Sequence, residues 1–345
     1  MRPTLTKIGL LVAVMGLTAC APPNPVDIGR GALGLPTSGS QAQYQNVVRQ
    51  VWASSNRMNM TDDAGQLNSF ETGAAALGDQ THVAGRKAQG LGPELNAPLP
   101  IKSSTVWVPP QSGYPAHLLA LVNSVDPQRG GPLSYFFDLV RTSPKGPWKI
   151  DDSTVLSDPN KKPPVIVDGQ REATQFTEKG SAGLFAVDPG QISKAYQQFF
   201  ADNINQQSYS GPFTRSAWSD GMMRDQVITA GALQSTGADV HNGIAQAPGT
   251  EIWGASDGAA VVFFHVAIVQ TVSATPGTLN CIVQQGNGQG DYDFALPPGQ
   301  YSQAEFDTLY TIAALDPRKG GGKVKVLGGM GAVVRAVGSP ATSCS

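Results

Sequence analysis

Apolar positions recur along this 345-residue chain in a pattern that is laid down twice. Within residues 41–56, Tyr44, Val47, Val48, Val51 and Trp52 follow the i, i+3, i+4, i+7, i+8 spacing of an amphipathic helix. A second helix is predicted where Asp188 and Pro189 supply a start signal and Ile192, Tyr196, Phe199 and Phe200 share a face. The strings YQNVV and YQQFF lie in the same register. A mixed helical and loop stretch follows each helix, and then a run of β segments. In the first half these lie around Trp107 and over 117–122, 134–140 and 147–156; in the second, around Trp253 and over 259–269, 309–315 and 324–337. Matching landmarks are displaced by roughly 150 residues. Helices followed by an antiparallel meander, repeated, predict two α+β domains over 41–160 and 188–345. Residues 161–187 read as the linker, and the glycines at 286, 288 and 290 as a hairpin tip.

The N-terminus has a different pattern. Arg2 and Lys7 precede an apolar run over 8–17. As a helix it spans about 15 Å, half of the roughly 30 Å membrane core, which is the length of a signal-peptide core and too short to cross. Leu17, Thr18, Ala19 and Cys20 resemble the bacterial lipobox. That resemblance implies removal of residues 1–19, diacylglyceryl attachment to the Cys20 sulfur, and anchoring at the extracytoplasmic face of the cell membrane. One acyl chain binds a membrane marginally and two or more hold stably. The competing reading is an ordinary secretory signal with a chance cysteine. No twin arginine is present, so general secretion is the expected route. Residues 20–40, rich in Pro, Gly and Ser, read as a flexible tether reaching about 25 Å.

Composition narrows the function classes. Hydrophobic residues make up 40% and charged residues 14%, against about 25% charged in an average soluble protein. Such a chain is too apolar to be disordered, and its 40 glycines and 26 prolines interrupt it too often for coiled coils. Net charge is −2; without residues 1–19, 22 basic face 26 acidic side chains, a balance of −4. No basic face for nucleic acid is expected.

Candidate chemistry is sparse. Residues 254–258 read G-A-S-D-G and fit G-x-S-x-G, but a nucleophile elbow needs a helix after the serine, and here a β-rich run follows Asp257 and Gly258. A hairpin is the expected structure. The four histidines, His82, His117, His241 and His265, show no metal-ligand spacing, so no metal or cofactor is expected. Alternation places His265 on a strand face with Val261 and Phe263. If that face lines the domain interior, Trp253, Phe263 and His265 form a candidate ligand pocket; otherwise His265 is a hydrogen-bonded core residue. Asp62 and Asp63 read as a helix N-terminal pair, Asp151 and Asp152 as strand or turn residues with one facing outward, and Asp291 and Asp293 as an incomplete calcium loop. Arg318, Lys319, Lys323 and Lys325 read as a solvated hairpin, with anionic lipid headgroups as a possible contact.

The order of a helix layer and a curved sheet resembles the nuclear-transport-factor-2-like cone. The lipobox, GPWKIDDSTVL and WGASDGAAVVFFHV are similar to an uncharacterised family of actinobacterial envelope lipoproteins. The resemblance implies tandem cone-like domains and brings no established activity, since this fold carries many functions. The expected protein is a monomeric, membrane-anchored, non-catalytic module that binds an envelope protein or an apolar ligand. The alternative is an extracytoplasmic hydrolase or isomerase pairing His265 with an acid such as Asp138 or Asp257.

With Cys20 lipidated, Cys281 and Cys344 remain, and an even remainder outside the cytoplasm favours a disulfide over two free thiols. Closing the loop between them is worth about 4 kcal/mol in the chain-entropy view. Thiol titration of the denatured, unreduced mature protein should find no reactive thiol; two would refute the pairing.

Overall fold

The computed structural model describes residues 41–342, apart from 89, 94–96, 111–112, 126–129, 166–173, 205–209, 256–257, 276–280 and 285–295. Residues 1–40 with Cys20, the Ser256–Asp257 step, the hairpin tip at 286–290, Asp291, Asp293 and Cys344 thus lie outside the described residues. Cys281 is buried and disulfide-bonded.

The first half opens with α1 (Gln41–Thr61), the short α2 (Leu67–Phe70) and α3 (Gly73–Ala88). An antiparallel meander follows: β1 (Ser103–Trp107), β2 (Ala116–Val125), β3 (Pro132–Arg141) and β4 (Lys149–Leu156). After the edge strand β5 (Gln175–Phe176) and α4 (Glu178–Ser181), the second half repeats the plan with α5 (Ile192–Asn203) and α6 (Ala217–Ser235). Its strands are β6 (Ala238–Gly254), β7 (Ala260–Ala274), β8 (Ile282–Gln284), β9 (Gly299–Asp316) and β10 (Lys325–Pro340). The class is α+β. Helix starts follow local chemistry: Asp188 caps the turn leading into α5 by accepting from the Gly190 amide, and Ser216 caps α6 by accepting from the Ser219 amide.

Both meanders belong to one ten-stranded sheet in the order β1-β2-β3-β4-β10-β9-β7-β6-β5, with β8 on β9. The joint is narrow, pairing only Gly328 with Leu156 and Gly329 with Val155. About this seam the sheet folds so that the two halves face each other. Trp107, Leu119, Leu121 and Phe136 meet Trp253, Val261, Phe263 and Ala313 in a shared core. The Phe136 and Phe263 rings lie 4.9 Å apart. Each half-sheet carries its helices on the opposite face: Val48, Trp52 and Phe70 pack on Leu118, Ala120 and Leu139, and Tyr196, Phe199 and Phe200 on Val262, Phe264 and Ile312. Four layers result: helices, sheet, sheet, helices.

Two expectations change, and one question left open by the sequence is decided. The two halves share a sheet and a core instead of standing as separate bodies. Residues 161–187 do more than link, because they supply β5 and bury Phe185 and Val187 against the second half. The His265 face of β7 looks toward the other half-sheet, while Val262, Phe264, Val266 and Ile268 meet the helices. Strand β7 is apolar on both faces, so alternation separates the faces without saying what covers each. The G-x-S-x-G string joins β6 to β7, antiparallel partners with Gly254 opposite Ala260, and the basic cluster lies around the β9–β10 turn. Among the described residues no helix is long and apolar enough to cross a membrane.

The seam depends on glycine. A Cβ on Gly328 would lie 2.1 Å from the Val155 carbonyl oxygen and 2.8 Å from the Leu156 Cα, both backbone atoms. Gly328→Ala should therefore lower stability by about 1–3 kcal/mol in urea unfolding; an unchanged midpoint would contradict so close an approach.

Candidate functional site

The shared inner face is apolar along most of its length and polar at one end. Alternation carries His117 on β2 to the same face as Leu119 and Leu121, Asp138 on β3 beside Phe136, Glu251 on β6 beside Trp253, and His265 on β7 beside Phe263. A bulge completes the set. Asp138 pairs with Asp152 but Leu139 with Ile150, so Asp151 is the extra residue of β4. Asp152 turns into the inter-sheet space. Asp151 turns to the helix side, where a Cβ on Gly73 at the start of α3 would meet its Oδ1 at 2.1 Å.

Two imidazole–carboxylate pairs form there. His117 Nδ1 lies 3.0 Å from Asp138 Oδ2 and 4.0 Å from Glu251 Oε2, and Gln175 Nε2 donates to Glu251 Oε2 at 2.9 Å. His265 Nε2 lies 2.6 Å from Asp152 Oδ1, and its Nδ1 lies 3.1 Å from the Gly249 carbonyl. A second bulge, across Pro248 and Gly249 in β6, aims that carbonyl. With a carbonyl on one ring nitrogen and a carboxylate on the other, both nitrogens of His265 donate, which is the imidazolium form. Burial alone would lower the His265 pKa, but the Asp152 charge and hydrogen bond outweigh it and push it up to about 9. The same balance, with Asp138 and then Glu251 as the charges, takes His117 to about 10. Burial raises Asp138 and Glu251, with His117 pulling both back. Burial and the charges of Asp152 and Glu251 take Asp151 to about 7.

The candidate pocket residues Trp253, Phe263 and His265 share one face, as alternation predicts. Trp253 and Phe263 are wedged in the inter-sheet core, both fully buried, and His265 faces the polar cluster. The acid beside His265 is Asp152, where Asp138 or Asp257 was expected. Asp138 belongs to His117, and Asp257 lies outside the described residues. The β4 bulge, which leaves no mark in the sequence pattern, decides this. The Asp62–Asp63 pair divides: Asp63 caps a short turn by accepting from the Gly65 amide, and Asp62 lies 3.7 Å from Arg86.

A cavity of about 280 Å³ opens elsewhere, beneath the first helix layer, lined by its sheet and by Met330 to Val333 of β10. Trp52, Tyr135 and Phe137 form an aromatic wall, with Trp52 centred 5.1 Å from Tyr135 and 5.9 Å from Phe137. Trp52 Nε1 donates to the Leu99 carbonyl at 2.9 Å and so holds its ring in place. Glu71, Asp79 and His82 also line the cavity. Glu71 is 4% exposed, and its Oε2 has no hydrogen-bond partner. Burial first, then the charge and hydrogen bond of Asp79, push its pKa up to about 9, so Glu71 is a neutral acid sharing its proton with Asp79. Sequence reasoning missed this site. The available signal was Asp79 and His82 three residues apart on a helix whose first turns, GAAALG, are small enough to leave space beneath them.

The fold and its buried groups define a four-layer α+β protein with two paired histidines and a ligand-sized cavity. The chain belongs to the family described as a domain of unknown function (DUF8094), matching it over residues 39–338, both halves together. No curated protein and no solved structure matches the chain.

The folded state holds the Glu71 proton to about pH 9, against 4.5 for the unfolded chain. The stability this proton supplies is therefore complete below pH 4.5 and is lost as pH rises through 9. Glu71→Gln keeps the neutral shape, so its urea midpoint should vary less than wild type between about pH 5 and about pH 8.5. Equal pH dependence in the two proteins would contradict the assignment.

Proposed function

We propose that this protein is an extracytoplasmic lipoprotein, held to the cell membrane through lipid on Cys20, whose folded part binds a small ligand in the cavity of its first half. The observation that carries the reading is the buried Glu71 Oε2 without a partner, in a cavity that Trp52 and Tyr135 also line. A lone buried acceptor is costly until a donor reaches it. Aromatic faces with a carboxyl pair suit a small, largely apolar molecule bearing an N–H donor or a positive charge. The resemblance at the lipobox supports the anchor, and residues 20–40 supply the tether.

Each half lays its helices on one face of a four-stranded meander, which supports a cone-like reading of both. Each half also covers the inner face of the other, as a dimer partner would, which supports a monomer. A hydrolase or isomerase is the second reading, favoured by His82 lining the same cavity as the Glu71–Asp79 pair.

Mass spectrometry of the protein extracted from its host membranes tests both parts. The denatured chain should begin at an acylated Cys20, and the native chain should carry a bound small molecule. Ala75→Phe, which fills the cavity, should lose that molecule and keep the acyl mass. A native mass equal to that of the acylated chain would refute the binding role, and an unmodified Cys20 would refute the anchor. Conversion of the bound molecule by wild type but not by His82→Asn would favour the enzyme.

A further inference from the structure

We propose that His117, Asp138 and Glu251 form a binding site for a divalent transition-metal ion of the zinc class. One donor atom from each of His117, Asp138 and Glu251 lies within 4.8 Å of the other two. Two donors each about 2.1 Å from a common ion are at most about 4.2 Å apart. The His117–Asp138 separation of 3.0 Å and the His117–Glu251 separation of 4.0 Å already satisfy that bound. The Asp138–Glu251 donors lie within 4.8 Å, so closing them to that bound takes well under 1 Å.

Three further observations converge on a cation. Asp138 is fully buried and its Oδ1 has no hydrogen-bond partner, leaving an oxygen able to join the ion. Glu251 is held by the Gln175 amide, the kind of outer contact that orients a metal-ligating carboxylate. The inter-sheet space holds three carboxylates, Asp138, Asp152 and Glu251, against the two imidazoles of His117 and His265, and a divalent ion that displaces the His117 Nδ1 proton balances that set. Glu251 keeps 15% of its side chain exposed, which opens the site to solvent.

One imidazole nitrogen with two carboxylate oxygens suits zinc, cobalt or manganese, and leaves positions for water. Calcium prefers six to eight oxygens. The donors come from β2, β3 and β6, so the ion would tie the two half-sheets together. No spacing motif marks the site, because strand pairing and sheet folding assemble it. The proposal is independent of the cavity in the first half.

The test uses full-length protein, dialysed against a chelator and titrated with Co2+, whose visible absorption reports bound, low-symmetry cobalt. One equivalent should develop colour, and Zn2+ should discharge it. Glu251→Gln should weaken binding at least tenfold. Gln175→Ala, on the edge strand and acting only as a positioning residue, should weaken it by ~10- to 100-fold. His241→Asn, at the exposed His241–Asp239 pair, should change nothing. The wild-type titration needs no variant to fold: absence of stoichiometric colour overturns the site. So does cobalt binding that survives Glu251→Gln undiminished, or that disappears with His241→Asn.

Discussion

Two four-stranded meanders press their inner faces together around Phe136 and Phe263, and nearly every other feature follows from that contact. Facing sheets can close only if the chain turns from one to the other without bulk at the joint. Gly328 and Gly329 sit there: a Cβ on the first would strike the β4 backbone, and one on the second would meet the Trp218 ring at 2.3 Å. Gly331, one strand step further along β10, makes room for the Tyr310 ring. The glycines in this stretch are a packing requirement, whereas the glycines at Gly320 and Gly322 serve a turn with positive φ.

Closing the two faces also explains why so many ionisable groups are buried. Strands β2, β3, β4, β6 and β7 each supply an apolar residue to the shared core and, two or more steps along, a residue to its polar end. His117, Asp138, Asp152 and His265 are all at most 6% exposed. Isolated buried charges would be very costly, so the arrangement is one of pairs, with bulges at Asp151 and at Pro248–Gly249 bringing Asp152 and the Gly249 carbonyl to His265. Removing either partner of such a pair would leave the other buried and alone.

The two halves share a plan and differ in what lies between helices and sheet. In the second, Tyr196, Phe199, Phe213 and Phe264 fill that space, with Tyr196 centred 5.0 Å from Phe213 and 5.5 Å from Phe264. In the first, the small residues at the start of α3 leave a cavity, and the acid pair and His82 line it. Repetition of the fold thus left one half as packed support and the other with room for a ligand.

Periodicity alone determined the α+β class, the helices α1 and α5 and the centres of β1–β4, β7, β9 and β10, because those segments bury one or both faces with regular spacing. It did not reveal α6, whose apolar residues, including the adjacent Met222 and Met223, are spread around the helix, nor the first part of β6, where Asn242, Gly243, Pro248 and Gly249 read as loop. It placed His265 with Phe263 correctly, and it could not say that the face meets another sheet instead of its own helices. The site residues were beyond it for a related reason. His265 and Asp152 are 113 positions apart, and their contact depends on a one-residue bulge and on the fold of the whole sheet. Alternation along a strand divides its side chains between two faces; only tertiary packing determines what each face meets.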